Sequence, residues 1–241
     1  MNILVVVSPS HEFLYQEHFL KTLPQGVSVI EHRLDTNGNG AYLSKDWQTG
    51  LVSSCISDQG YYLFLGRLIS AKGVLTLLDA WGQLTKKLGP STPVLKIAGE
   101  GELAQQVAAY CSQNPKVQFL GRIDGLAKTT CIQNCRAMIA PSLWWEPLGI
   151  VTYEAYNACK PMLAARSGGL TETVNDACTG FLHEPGDVNQ LVSQIEMLEA
   201  NPNKAQNLGQ AGRDWLCKNC NEVQWLDNFD RTIHNLLPEK K

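Results

Sequence analysis

No apolar run in this 241-residue chain approaches the roughly 18 residues that a membrane-spanning helix needs. The opening Ile3-Leu4-Val5-Val6-Val7 run is short, has no basic leader and passes straight into Ser8-Pro9-Ser10, which makes it a strand rather than a signal peptide. Charge is scarce and nearly balanced, at 18% charged residues with a formal net charge of -3, so no basic excess exists to attract nucleic acid or anionic lipid over the whole surface. The eight cysteines lack framework spacing, and the sole Cys-x-x-Cys, Cys217-Lys218-Asn219-Cys220, has no second pair with which to hold a structural zinc. Histidines at positions 11, 18, 32, 183 and 234 are scattered without ligand spacing, so no metal site is expected. No glycine loop ends in Lys-Ser or Lys-Thr, which argues against a nucleoside triphosphatase. Internal repeats and low-complexity tracts are also missing. These absences leave an ordinary globular protein, cytoplasmic or peripheral at the inner face of a membrane, with reduced thiols.

What is present is a 44% hydrophobic content and a chain long enough to bury roughly 70% of its unfolded surface. From Tyr61 onward, short apolar runs alternate with longer amphipathic stretches: Tyr61 to Leu65, Val94 to Ala98, Val117 to Leu120, Ala137 to Ala140, Pro161 to Ala164 and Phe181-Leu182. This alternation predicts an α/β domain, a Rossmann-like parallel sheet with helices on both faces. Val74, Leu77, Leu78, Trp81 and Leu84 recur at helical spacing and predict a core-facing stripe. After Asp187 the periodicity is helical only, which predicts terminal helices, the last over 221–241. The first part differs: strands at Ile3 to Val7 and Val27 to Ile30 flank a helix over His11 to Leu23, followed by a polar linker over 36–60. The main domain is therefore expected over 61–220.

The most specific chemistry lies in Glu146-Pro147-Leu148-Gly149-Ile150-Val151-Thr152-Tyr153-Glu154, which follows the strand end Ala140-Pro141-Ser142. A helix starting near Gly149 would put Glu146 in the preceding loop and Glu154 about a turn and a half inside. Glycine there lets a phosphate approach the free amides that open the helix, and the helix dipole reinforces the attraction. The competing reading is a capped helix with Glu154 solvated. Gly66-Arg67, followed by Lys72-Gly73, Gly99-Glu100-Gly101 and Gly121-Arg122 all follow strands, so they converge on the carboxyl edge where open α/β sheets bind ligands. A pyrophosphate site fits this convergence. Gly99-x-Gly101-x-x-Ala104 also matches a dinucleotide fingerprint, but the acid expected at the next strand end is missing.

In order, Gly66-Arg67 with Lys72-Gly73, Gly99-Glu100-Gly101, Phe119-Leu120-Gly121, Ala140-Pro141-Ser142, Glu146 to Glu154 with Ala155, Ser167-Gly168-Gly169 with Glu172, and Thr179-Gly180-Phe181 with Pro185-Gly186-Asp187 resemble a known domain. That domain is the C-terminal, donor-binding half of the GT-B retaining glycosyltransferases of family four, the glycosyl transferases group 1. The resemblance implies transfer of a sugar from a nucleoside-diphosphate sugar to an acceptor with retention and without a resident cofactor, the sugar nucleotide being substrate. It implies that Arg67 and Lys72 neutralise the donor diphosphate and that Glu146 bonds the donor sugar, the three forming the catalytic set. Donor-binding positions would be Gly66, Gly99, Gly121, Ile123 against the base with Lys128 nearby, the backbone of Gly149, Ile150 and Val151, and Glu154 on the ribose hydroxyls. The donor could be a UDP-, GDP- or ADP-sugar, and the acceptor a glycan, lipid or small molecule.

The likeness departs at two places. Cys159-Lys160-Pro161 stands where the family usually has glycine before the variable residue and proline, and a cysteine adopts positive φ at greater cost, so a rearranged turn is expected. Residues 1–35 resemble only the last piece of an N-terminal domain that would run to about 150 to 200 residues. Its glycine-rich acceptor loop and histidine have no counterpart, so the expectation is an acceptor half supplied elsewhere, possible partners including a separate chain. A nucleotide-sugar-binding module without turnover is the alternative, and a GT-B-like epimerase or phosphorylase a further one.

Overall fold

In a computed structural model, residues 2–7, 28–33, 60–220, 227 and 229–231 are described. The chain forms two compact units, Met1–Leu51 and Val52–Lys241. In the first, strands β1 (Asn2–Val7) and β2 (Ser28–Arg33) pair in parallel, with Asn2 opposite Ser28 and Val7 opposite Arg33. The second strand runs three residues past the expected Ile30. The expected helix over 11–23 and the linker over 36–59 lie outside the described residues.

The second unit is built on six parallel strands: β3 (Tyr61–Leu65), β4 (Val94–Ala98), β5 (Val117–Gly121), β6 (Ala137–Ala140), β7 (Met162–Ala165) and β8 (Gly180–His183). Their order across the sheet is β5-β4-β3-β6-β7-β8. Each strand obeys the period of two. Tyr62 and Phe64 of β3 enter one core with Leu95 and Ile97, while Tyr61 and Leu63 enter the other with Met138 and Met162. Burial on both faces explains why these segments read as continuous apolar runs.

The first core is covered by α1 (Val74–Leu88), α2 (Ala104–Gln113) and α6 (Val188–Ala200). All five residues of the expected stripe on α1 are buried, and the Trp81 indole donates to the Pro93 carbonyl at 2.9 Å, so its polar atom is satisfied too. The second core is covered by α3 (Gly125–Asn134), α4 (Ile150–Asn157), α5 (Leu170–Thr173) and the later part of α7 (Pro202–Asn219). Local chemistry sets the ends of the last helices: Asp187 accepts from the Gln190 amide at 2.9 Å, and Asn201 caps α7 with Pro202 in its first turn. Asp227 and 229–231 are also helical; the rest of the expected 221–241 helix lies outside the described residues.

Sheet order places the site. From β3 the chain steps outward to β4 and β5, then returns beside β3 as β6 and steps the other way to β7 and β8. The loops after β3 and β6 therefore leave the sheet side by side at the carboxyl edge where the winding reverses, the position at which open α/β sheets bind ligands.

The expected rearrangement at Cys159 does not occur. Cys159 takes φ 54, the left-handed conformation that glycine occupies more cheaply, and its amide bonds the Tyr156 carbonyl at 3.0 Å. Gly209 of α7 leaves no room for movement, because a Cβ on it would overlap the Cys159 carbonyl oxygen. Helix packing thus imposes the turn, and the side chain tolerates it.

Candidate functional site

Lys72 closes a short 3-10 turn, Ser70–Lys72, after β3, and Gly73 follows in the left-handed conformation at φ 70. Glycine is required there on two counts, positive φ and a Cβ that would overlap the Pro141 carbonyl oxygen in the loop after β6. The two loops at the reversal of winding are thereby in backbone contact. Across them the Lys72 ammonium meets Glu146 Oε1 at 2.5 Å, and the Ser142 hydroxyl donates to the same oxygen at 2.6 Å. Burial by itself would raise the Glu146 carboxyl, but hydrogen bonds from Lys72, Ser142 and Trp144 and the lysine charge outweigh it, holding the group below the ordinary glutamate range.

Glu146 is also fixed through its backbone. The Gly169 amide donates to the Glu146 carbonyl at 2.7 Å, the Ser167 hydroxyl donates to the Trp144 carbonyl, and Gly168, at φ 52, sits so close that a Cβ would overlap the Glu146 carbonyl oxygen. The Ser167-Gly168-Gly169 segment is therefore a clamp on the loop that carries Glu146. The sequence alone gives this segment no such role, which only proximity across the fold reveals.

Helix α4 begins as expected, with Gly149 its N-cap at φ 68 and no side-chain cap. The Thr152 amide is taken by the Gly149 carbonyl at 2.9 Å, while the first amides, at Ile150 and Val151, have no intrahelical partner by the geometry of a helix start. The alternative of a solvated Glu154 is overturned: its side chain is only 11% exposed and meets the Lys128 ammonium at 2.5 Å. Burial raises its carboxyl above the ordinary value, and the lysine offsets this only in part.

The remaining expected residues fall as follows. Arg67 is exposed on the loop after β3. Gly66 and Gly99 directly follow β3 and β4, Gly121 ends β5, and the three strand ends are stapled together, the Gly66 amide to the Ala98 carbonyl at 3.1 Å and the Gly99 amide to the Gly121 carbonyl at 2.8 Å. A Cβ on Gly99 would overlap the Gly66 carbonyl oxygen, so close packing of the strand ends accounts for that glycine. Ile123 is half-buried against the second core, just before α3. Lys128, expected beside a base, is committed to Glu154, a pairing that sequence spacing could not reveal. Among the described residues no group of three or more His, Cys, Asp or Glu is placed to hold a metal, and no helix is long and apolar enough to cross a membrane.

Residues 53–215 match the family model described as glycosyl transferases group 1. A GDP-mannose-dependent alpha-(1-6)-phosphatidylinositol monomannoside mannosyltransferase of Mycolicibacterium smegmatis is 32% identical over 174 residues, 68% of this chain and 45% of that protein. The C-terminal domain of a group 1 glycosyl transferase, LpcC, from Francisella tularensis superposes with a TM-score of 0.58 at 20% identity, over 72% of this chain and 90% of that one. Anabaena HepE in complex with UDP and glucose superposes with a TM-score of 0.62 at 24% identity, over 86% of this chain and 56% of that one. The chain spans a little under half the length, 42% to 45%, of curated relatives such as the mannosyltransferase. With the matched segment covering the whole six-stranded sheet and the loops at its reversal of winding, the chain belongs to the glycosyl transferases group 1.

Proposed function

We propose that the carboxyl edge of the sheet, where the winding reverses between β3 and β6, binds a nucleoside-diphosphate sugar and that the chain is the donor-binding half of a retaining glycosyltransferase. The observation that carries the reading is the Lys72–Glu146 pair at 2.5 Å, held by the loops after β3 and β6 in the stretch that leads to the uncapped start of α4. A cation, a carboxylate and unpaired amides supply, respectively, charge for a diphosphate, an acceptor for sugar hydroxyls and donors for phosphate oxygens. Two relatives support the class of ligand. The mycobacterial protein is named as GDP-mannose-dependent, and the HepE complex holds UDP. Their common part is the nucleoside diphosphate, and the reading extends to UDP-, GDP- and ADP-sugars alike.

In this reading the acceptor hydroxyl oxygen bonds the anomeric carbon on the face the diphosphate leaves, and its proton passes to the departing phosphate. Negative charge grows on the diphosphate as the glycosidic bond breaks. Arg67, Lys72 and the amides of Ile150 and Val151 stabilise it, the kind of preorganised contact that lowers a barrier most. Gly149 keeps the approach to those amides open, and Glu146 orients the sugar. The acceptor, whether glycan, lipid or small molecule, is met by an acceptor-binding half, supplied by a further segment of the protein or by a separate chain.

Calorimetric titration of the purified chain with UDP-, GDP- and ADP-sugars, with hydrolysis followed in parallel, tests the proposal. One of the three binds, and Lys72→Ala or Arg67→Ala weakens it by roughly ten- to a hundred-fold, the worth of one charge-assisted contact. Unchanged affinity in both variants would remove the two cations from the site. Binding without turnover points to a module or to the need for an acceptor-binding partner.

A further inference from the structure

The two carboxylates of the site are held very differently. Glu146 has an ammonium, a hydroxyl and a backbone clamp from three separate segments. Glu154 has Lys128 alone among the described residues, with both side chains largely enclosed at 11% and 21% exposure. Lys128 stands in the first turn of α3, its amide bonded to the Asp124 carbonyl at 3.2 Å. That turn has little else to anchor it, since Gly125, Leu126 and Ala127 are exposed and the only buried residue of the helix is Ile132, far along it. The ion pair therefore joins the start of α3, directly behind Ile123, to the second turn of α4.

Resting on the proposed donor reading, we infer that Lys128 is the positioning residue for ribose recognition: it orients the Glu154 carboxylate for the ribose hydroxyls and ties the turn behind Ile123 to α4. A carboxylate accepts from two neighbouring hydroxyls at once only while charged, and burial acts against that charge. Among the described residues no other cation pairs with Glu154. On α7, which packs against α4, Arg213 is engaged with Asn157 and Asp214 with Gln210. Asp124, Cys131 and Cys135 on or beside α3 and Glu172 of α5 bring no positive charge, and β6 has no ionisable residue.

The test uses the full chain, the tightest binder among UDP, GDP and ADP, and its 2′-deoxy counterpart, titrated calorimetrically between pH 6 and 9. The wild type prefers the ribonucleotide by about ten-fold or more, the scale of a hydrogen bond to a charged group. Lys128→Met loses that preference and binds the ribonucleotide more weakly, with part of the loss recovered as pH rises, because Glu154 must then shed its proton without help. Lys128→Arg restores the preference. A purely structural lysine would instead lower affinity for both nucleotides equally at every pH, and that result overturns the inference. So does retained discrimination in Lys128→Met when Glu154→Gln abolishes it, an outcome that leaves the donor reading standing. Failure of the wild type to bind any of the three nucleotides sinks both. Melting curves establish that each variant is folded, and Lys128→Gln replaces the methionine variant if that one is not.

Discussion

Glu146 and His183 are buried ionisable groups and Glu154 is largely enclosed, and each answers differently to the low dielectric around it. The Glu146 carboxyl lies below its ordinary value, so its contribution to stability is present above the usual glutamate range and lost as pH falls through the folded value. Glu154 is displaced the other way and makes no such contribution. His183 is fully buried on β8, its Nδ1 3.1 Å from Gln194 Oε1 on α6, while Nε2 has no partner among the described residues. Burial lowers it from 6.5 to about 4, so the neutral ring favours the fold fully above pH 6.5, and that advantage is lost as pH falls towards 4. Acidification over this window is predicted to lower the unfolding free energy by on the order of 3 kcal/mol, with His183→Gln showing a flatter acid limb in thermal melts. At Cys159 the prediction has the opposite sign. Replacement by glycine relieves the left-handed strain at φ 54 and stabilises the chain by about 0.5 to 1 kcal/mol, read as a higher denaturation midpoint.

At the scale of elements, the site is a set of strand ends held by backbone contacts that side chains would obstruct. Gly73 against Pro141, Gly99 against Gly66 and Gly168 against Glu146 are three such approaches. Gly168→Ala tests the last. Its Cβ meets a backbone oxygen, which cannot swing aside as a flexible side chain does, and its φ of 52 disfavours any side chain. The variant is expected to displace Glu146 and to weaken nucleotide-sugar binding more than Ser167→Ala, with both measured on protein shown to be folded by circular dichroism. Strand and helix positions were legible in the sequence because burial on both faces writes continuous apolar runs and the helices between them carry a stripe such as Val74 to Leu84. The start of α4 at Gly149 was equally legible, from a glycine that follows a loop proline and precedes an apolar helical segment. The clamp by Ser167-Gly168-Gly169 was not, because nothing in a local pattern says which distant backbone a glycine approaches.

The whole second unit rests on two cores separated by one sheet, and α1 seals the first with Trp81, which contacts Tyr62 edge-on at 5.6 Å. Trp81→Ala should cost about 3 to 5 kcal/mol and shift the urea midpoint of the entire sheet domain, since the cavity opens against the central strand β3. A shift confined to a local probe would show that α1 is not integral to the core. The sequence by itself determined the α/β class, the parallel sheet, the helical periodicity after β8 up to residue 219 and the convergence of glycines and charges on one edge, because these follow from periodicity and from the residues permitted at strand ends. Only the tertiary structure decided that Lys72 meets Glu146, that Lys128 meets Glu154 and that the first of these pairs lies where the winding reverses between β3 and β6. Those pairings join residues far apart in the chain, and their choice depends on strand order and on which charges the fold encloses together, quantities that no local spacing encodes.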